Sequence, residues 1–185
     1  MTTQHQLRRD TTANIAAITP AQGEPVFDVT RNALTIGDGV QAGGHYTTPF
    51  MGTWTPTIAG ATTPGTQAYA VQEGWYVKLG KLVVAQCRIT LTANSGGAGD
   101  ARIAGLPFAV AASGNTHGLG IVHATSVAHA SGYAQFEAIA FPSASSCTLY
   151  ELGSNVAAAP VPIGNVGAAA DLVVILIYLA GADND

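Results

Sequence analysis

The clearest pattern of hydrophobic and polar positions lies between residues 81 and 92. From residue 83 the odd-numbered positions are apolar, and from residue 86 the even-numbered positions are polar. Side chains of a β-strand alternate between its two faces, so this period of two predicts a strand over 81–92 with one face in a core. The predicted core positions are Val83, Ala85, Cys87, Ile89 and Leu91.

Short apolar runs separated by turn-forming residues continue to the end of the chain, and no helical period is present after residue 20. About eight or nine short strands joined by turns are typical of an antiparallel sandwich. The predicted fold class is therefore mainly β, with a jelly-roll or β-sandwich domain after a small N-terminal hairpin module. The other strands predicted for the larger domain are 74–79, 101–104, 108–111, 119–127, 133–141, 147–152 and 171–180, with a long connection marked by Pro160 and Pro162.

The last predicted strand differs from the others because it is apolar at both odd and even positions from 172 to 179. A strand of a one-sided sandwich should have one polar, hydrated face. Here both faces are predicted to be buried, either because a neighbouring subunit covers one of them or because a loop covers a central strand. We favour the subunit interface.

The first 46 residues contain the signals of a small separate unit. Residues 6–9 are predicted as a short strand, and the N-cap oxygens of residues 10–12 precede a short helix over 13–17. The runs 25–29 and 33–36 predict a hairpin, in which Asn32 suits a positive φ. The predicted organisation is an attachment and oligomerisation module over 1–46, a linker over 47–52 and a head domain over 53–185.

Composition strengthens the prediction of self-association. Charged residues make up only 10% of the chain and apolar residues 48%, whereas a typical soluble domain has about 25% charged residues. Such a chain either buries part of its surface against copies of itself or carries a Thr/Ser-coated surface of low charge.

Charge and hydropathy argue against two partner classes. The net charge is -4 and there is no basic stripe with interleaved aromatics, so neither nucleic-acid binding nor polybasic membrane binding is expected. The longest apolar run, 172–179, is far shorter than the roughly 18 residues a transmembrane helix needs. Residues 1–10 lack an apolar segment, so no signal peptide is expected.

Three histidines with a spacing of six, His117, His123 and His129, share one parity and would lie on one face of a continuous strand. Gly118, Gly120 and the turn signal at 131–132 weaken that continuity, and the spacing matches no compact metal motif. We interpret them as polar positions on an exposed or inter-subunit face, so no metal or other cofactor is predicted.

No catalytic constellation is predicted either. The serines lie outside any G-x-S-x-G motif, the glycines of 96–99 are not followed by a phosphate-loop Lys, and 37–39 lacks the other ligands of a calcium loop. Glycoside hydrolysis needs two acids flanking a cleft, and nothing in the sequence pairs any two of the available carboxylates. These are Glu73, Asp100, Glu137, Glu151 and Asp171.

Two further residue sets have ordinary structural interpretations. Cys87 and Cys147 both lie in predicted strands and are interpreted as buried thiols, although a single bridge between them stays open. Trp75 and Tyr76 are adjacent in a strand, so at least one must face outward or into an interface. The aromatics that could form a sugar platform are Trp54, Trp75, Tyr76, Tyr133 and Tyr150, and no glycan-binding residue is assigned.

Residues 7–44 resemble the N-terminal module of tailed-phage fibre and tropism-determinant proteins, which opens with a short strand and continues with a Gly-Asp-Gly-containing hairpin. A second stretch resembles a C-terminal β domain of phage fibre and spike proteins, through 52–56, 74–83 and 105–108. In that stretch the family's G-x-Y-x-K element is shifted by one residue. The module's motif positions are Gly23, Glu24, Asp28, Thr30, Leu34, Gly37, Asp38, Gly39, Gly43 and Gly44.

The resemblance implies a non-catalytic virion appendage that is usually trimeric, binds a host-surface glycan or protein, and assembles in the bacterial cytoplasm. Fivefold symmetry stays possible, and residues 1–46 would contact other capsid or tail proteins. Because the two modules nearly abut, a short spike or head fibre fits better than an ordinary tail fibre. The alternatives are a glycan-cleaving spike enzyme and a jelly-roll lectin unrelated to virions.

Overall fold

The computed structural model describes residues 7–113 and 116–181. The fold is mainly β, as predicted, and its backbone contacts divide the chain into two compact units. The described residues of the first unit are 7–51 and 77–82, and those of the second are 52–76, 83–113 and 116–181.

The first unit contains a four-stranded sheet with the order β1-β2-β3-β4. Strands β2 and β3 form the predicted hairpin, and Asn32 in its turn has φ 51°. The helix is capped by Thr11, whose side chain accepts a hydrogen bond from the Asn14 N–H. The elements are β1 (Arg8–Asp10), α1 (Thr12–Ala16), β2 (Pro25–Asp28), β3 (Ala33–Ile36) and β4 (His45–Tyr46).

The remaining strands form one curled antiparallel sheet, which agrees with the predicted sandwich or jelly-roll class. Its strand order is β5-β7-β8-β14-β10-β11-β12-β9-β6, with β13 paired to β12. The strands are β5 (Phe50–Trp54), β6 (Thr57–Gly60), β7 (Thr66–Leu79), β8 (Leu82–Ser95), β9 (Ala101–Ala104), β10 (Gly118–Val127), β11 (Tyr133–Ala140), β12 (Ser146–Gly153), β13 (Val156–Pro160) and β14 (Val166–Leu179).

Several segments differ from the sequence predictions. Strands β4, β5 and β6 were not predicted, and β5 begins at Phe50, inside the predicted linker 47–52. Strand β7 starts at Thr66, eight residues earlier than predicted, and β13 occupies part of the predicted long connection. The three central alanines of β13 give no β-strand signal, and Pro160 is tolerated because it ends an outer strand. The predicted strand 108–111 is wrong, since only an isolated bridge between Val110 and Ala180 forms there.

The core of the second unit lies on the inner face of this sheet. The five apolar odd positions of β8 are all buried, which confirms the alternation in the sequence. On β14 the even positions from 170 to 178 are buried. They are Ala170, Leu172, Val174, Leu176 and Tyr178. No helix within the described ranges is long and apolar enough to cross a membrane.

Both cysteines belong to this core as free, buried thiols. The disulfide bridge that the sequence left open is therefore not formed. Burial disfavours the thiolate and raises the pKa of Cys87 to about 12. Burial likewise raises the pKa of Cys147 to about 12.

The folded protein should therefore resist thiol reagents. With a pKa near 12 only about one thiol in ten thousand is ionised at pH 8, and the thiolate is the reactive form. We expect almost no reaction with Ellman's reagent at pH 8 in the native state and two thiols per chain after denaturation in guanidinium. Rapid labelling of the native protein, or fewer than two thiols after denaturation, would contradict this assignment.

Candidate functional site

The outward side of β14 is apolar and open to solvent. Its odd positions Ile175, Ile177 and Leu179 are 39%, 53% and 43% exposed, and on the neighbouring strand β10 Leu119 and Ile121 are 60% and 78% exposed. We call these five residues the apolar face. The sequence left open that a loop covers one face of this strand, which is apolar on both faces. The exposure of these side chains shows that this explanation is wrong for the described part of the chain.

Strand register aligns the side chains of the apolar face in rows. Leu119 lies opposite Ile177, and Ile121 lies opposite Ile175. Directly opposed residues of an antiparallel pair contact each other on one face of the sheet. On the far side of β10, Ile139 continues the first row and Glu137 the second.

Two glycines explain why β10 can lie so close to β14. A Cβ at Gly118 would stand 2.7 Å from the Tyr178 Cβ, and a Cβ at Gly120 would stand 3.1 Å from the Leu176 Cδ1. The large inner side chains of β14 occupy the space that inner side chains of β10 would need. Gly118 and Gly120, which weakened the sequence prediction of a continuous strand, are thus a packing requirement of this strand pair.

An ion pair lies farther along the same outward side of β14. Asp171 accepts two hydrogen bonds from the Arg88 guanidinium, at 3.1 and 3.0 Å, and one from the Thr90 hydroxyl at 2.8 Å. The Arg88 hydrogen bonds, followed by the one from Thr90, hold the pKa of Asp171 below its ordinary value. The two charges neutralise each other locally, so they add no net charge next to the apolar face.

Strands β10 and β11 separate beyond the apolar face and leave a groove between them. Their ladder ends at the Ile121–Glu137 pair, although both strands continue. Beyond that point each strand shifts register against its other neighbour, the β10–β14 pairing between Thr125 and Val127 and the β11–β12 pairing between Tyr133 and Gln135. Ser126, at the first of these shifts, has φ 57°. The β10–β11 groove is lined by Ile121, Val122, His123, Ala124, His129, Ala134, Gln135 and Phe136.

A buried carboxylate holds the loop at the end of this groove. Glu151 is 2% exposed and accepts a hydrogen bond from the Ala130 N–H at 2.9 Å. The Nδ1 atom of His129 lies 3.7 Å from the same carboxylate oxygen, Oε2. The His129 ring stacks on Phe136 with ring centroids 3.8 Å apart and planes 10° from parallel. These contacts fix the position of the loop relative to β11.

The three histidines singled out in the sequence have separate environments. His117 lies edge-on to Phe141, His123 projects from the exposed side of β10, and His129 stacks on Phe136. Among the residues that the structure describes, no three His, Cys, Asp or Glu side chains are placed to hold a metal ion together. Only His123 and His129 share a site, as two of the groove residues.

The candidate carboxylates and aromatics are likewise dispersed. Trp75 is 45% exposed, whereas Tyr76 packs edge-on against Phe108, so the two do face opposite sides. Trp54 donates to the Gln86 carbonyl oxygen and Tyr133 to the Ala157 carbonyl oxygen, while Tyr150 lies beside Phe141.

Among the acids, Glu73 is exposed, Glu137 is half-buried beside Ile121, and the backbone of Asp100 bridges to Pro162.

The first unit is organised around one buried carboxylate. Asp28 is fully buried, and its Oδ1 accepts from the N–H groups of Thr30 and Arg31 at 2.9 and 3.1 Å. Its Oδ2 accepts from the Thr12 hydroxyl at 2.6 Å and the Tyr46 hydroxyl at 2.5 Å. One side chain therefore connects α1, the hairpin turn and β4. Burial opposes ionisation of Asp28, but the four hydrogen bonds outweigh it and keep its pKa below the ordinary value.

A second aspartate shapes the Gly-Asp-Gly turn. Asp38 accepts hydrogen bonds from the N–H groups of Val40 and Gln41, and its other oxygen lies 3.0 Å from the His45 Nε2. The two backbone hydrogen bonds are the main reason that its pKa is lowered to about 2. The motif residues Asp28 and Asp38 thus each accept hydrogen bonds that hold a turn of the module.

Comparisons with known proteins agree with this architecture. Residues 6–41 match the family model described as the major tropism determinant N-terminal domain. The crystal structure of the Dettilon tailspike protein is similar over 85% of this chain and 33% of that chain, with a TM-score of 0.58 and 14% identity. At that identity the similarity shows the fold alone, and the chain spans about a third of the tailspike. No curated protein matches the sequence.

The predicted resemblance to phage fibre and spike proteins is thereby confirmed. Residues 6–41 match the tropism-determinant N-terminal domain model, and most of the chain shares its fold with part of a phage tailspike.

Replacing Asp28 should destabilise the first unit selectively. In Asp28→Ala the two hydroxyls and two N–H groups lose their shared acceptor, which we expect to cost about 3 kcal/mol. Hydrogen exchange of the full chain should show faster exchange over 25–36 and little change in β8 and β14. Gln22→Ala, an exposed substitution in the same unit, serves as the control. Unchanged protection in the Asp28 variant would refute the assigned role.

Acid should weaken the same unit. The folded-state pKa of Asp28 lies below 3.8, so its stabilising contribution is complete above that value and is lost as the pH falls through the folded pKa. We expect exchange protection over 25–36 to fall between about pH 4 and pH 2. Asp28→Asn, which cannot titrate, should show a smaller fall over this interval. An equal fall in both proteins would show that Asp28 does not contribute to the pH dependence.

Proposed function

We propose that this protein is a non-catalytic structural component of a phage-like particle appendage, which self-associates and binds the host cell surface through a glycan. Residues 1–46 would attach to other capsid or tail proteins, 47–52 would be the linker, and 53–185 would form the exposed head. The observation that carries this proposal is the tropism-determinant domain at residues 6–41, followed by a head with a tailspike-like fold.

The apolar face supports the self-association part of the proposal. Five partly exposed apolar side chains in two cross-strand rows would gain roughly 1 kcal/mol each on complete burial. The total of about 5 kcal/mol lies at the low end of the estimated cost of association, about 4–15 kcal/mol. A stable assembly would therefore need contacts beyond the apolar face, and the first unit is the proposed source of them. A trimer is favoured, with a pentamer as the alternative.

A non-catalytic role is supported by the hydrogen bonds that two of the candidate carboxylates make within the protein. The Asp171 carboxylate is held by Arg88 and Thr90, and the Glu151 carboxylate is buried and holds a loop. The proposed location is the virion, after assembly in the bacterial cytoplasm.

Electron microscopy of purified particles tests the proposed role directly. An antibody against this chain should label an appendage on the particle surface, and the purified chain should bind cells from a panel of bacterial strains. Label confined to the particle interior, or chain that binds no strain, would overturn the proposal. Turnover of a host polysaccharide by the purified chain would overturn its non-catalytic part.

Self-association through the apolar face can be tested with one charge. Ile177→Glu places a carboxylate on the face, where burial against another copy would be costly. The wild type should be oligomeric at micromolar concentration by size-exclusion chromatography with light scattering, and the variant should associate at least tenfold more weakly. Thr92→Glu, at an exposed outward position of β8, is the matched control. A monomeric wild type, or equal association of both variants, would argue against this interface.

A further inference from the structure

We propose that the β10–β11 groove is the ligand site of this protein and that it binds a neutral, hydroxyl-rich oligosaccharide. The inference deepens the proposed function, because it assigns a place and a chemical class to host-surface binding. It rests on the backbone of the groove, the side chains that line it and the loop that closes it.

The backbone at the groove departs from a regular sheet on both sides. Each bordering strand shifts register against its other neighbour, β10 against β14 and β11 against β12, and Ser126, a residue with a side chain, has a positive φ. Bulges redirect side chains and are common next to active sites, and strained conformations persist where the surrounding structure enforces them. Both register shifts lie close along the chain to the point where the β10–β11 ladder ends. Beyond the Ile121–Glu137 pair the two strands no longer form a ladder with each other.

The lining combines groups that suit a sugar. His123 and Gln135 are exposed on opposite walls and offer imidazole and amide groups to hydroxyls. Val122 and Phe136 provide apolar surface for the C–H groups of a sugar ring. This mixture of apolar walls and a few polar groups is typical of small-molecule sites.

Charge restricts the ligand class to neutral sugars. Neither Arg nor Lys is among the groove residues. A phosphate or a carboxylated sugar would therefore find no permanent cation in the groove to pair with. A neutral oligosaccharide needs no such cation.

The loop makes the groove ready for a ligand in the free protein. The buried Glu151 carboxylate holds the Ala130 N–H, and His129 is stacked on Phe136. A site that is ordered before binding loses less conformational entropy when it binds. The His129–Phe136 stack also stands among the lining residues, where a peptide strand added continuously between β10 and β11 would have to pass. A sugar is thus favoured over an extended peptide.

Binding to an array of neutral bacterial oligosaccharides tests the assignment. The wild-type chain should retain at least one of them, and Gln135→Ala and His123→Ala should each weaken that binding about tenfold, equivalent to about 1.4 kcal/mol. Thr92→Ala, on the outward side of β8, should bind like the wild type. Circular dichroism and the elution volume of every variant must match the wild type, because a misfolded variant would lose binding trivially.

The outcomes separate this assignment from the proposed function. The groove assignment is overturned if no neutral oligosaccharide is retained, if both groove variants bind within twofold of the wild type, or if an extended peptide is captured instead. Fluorescent wild type and Gln135→Ala should also be compared on bacterial cells. Equal binding to cells would leave host attachment intact and reject the groove, whereas a wild type that binds no strain would reject host attachment itself.

Discussion

The structure depends on one constraint, the apolar character of both faces of β14. Its even side chains fill the core, while its odd side chains meet solvent together with Leu119 and Ile121. The same strand lies between β8 and β10 in the sheet. One side of this central strand is buried in the core and the other is apolar and exposed, so the folding of the second unit is coupled to the apolar surface that it presents to solvent.

Periodicity predicts most of the strands because burial on one face leaves a strong alternation in the sequence. The β8 pattern and the hairpin of the first unit were recovered in this way, including the positive φ of Asn32. Strand β13 was missed because Ala157–Ala159 carries no such alternation, and its position depends on pairing with β12. Residues 108–111 look like a strand locally, but their backbone is used mainly in loop contacts.

The sites were less accessible to sequence reasoning, since they arise from the meeting of distant segments. The equal parity of the three histidines gave no reason to connect His129 with Phe136 and Glu151, which a bulge and a turn bring together. Asp28 could be recognised as a motif position, but its four donors come from three separate segments. The β14 part of the apolar face was the exception, because residues 172–179 are apolar at every position and so predict two apolar faces.

The glycines on the inner side of β10 also bear on how this molecule can change over time. Gly118 and Gly120 leave the space that inner side chains of β14 occupy, whereas residues 119, 121 and 123 project to the outward side of the sheet. Substitutions at those outward positions leave the interior untouched, so the sheet tolerates variation there at little cost to folding. One strand thus separates the positions that preserve the scaffold from outward positions at which a substitution alters the surface and not the core.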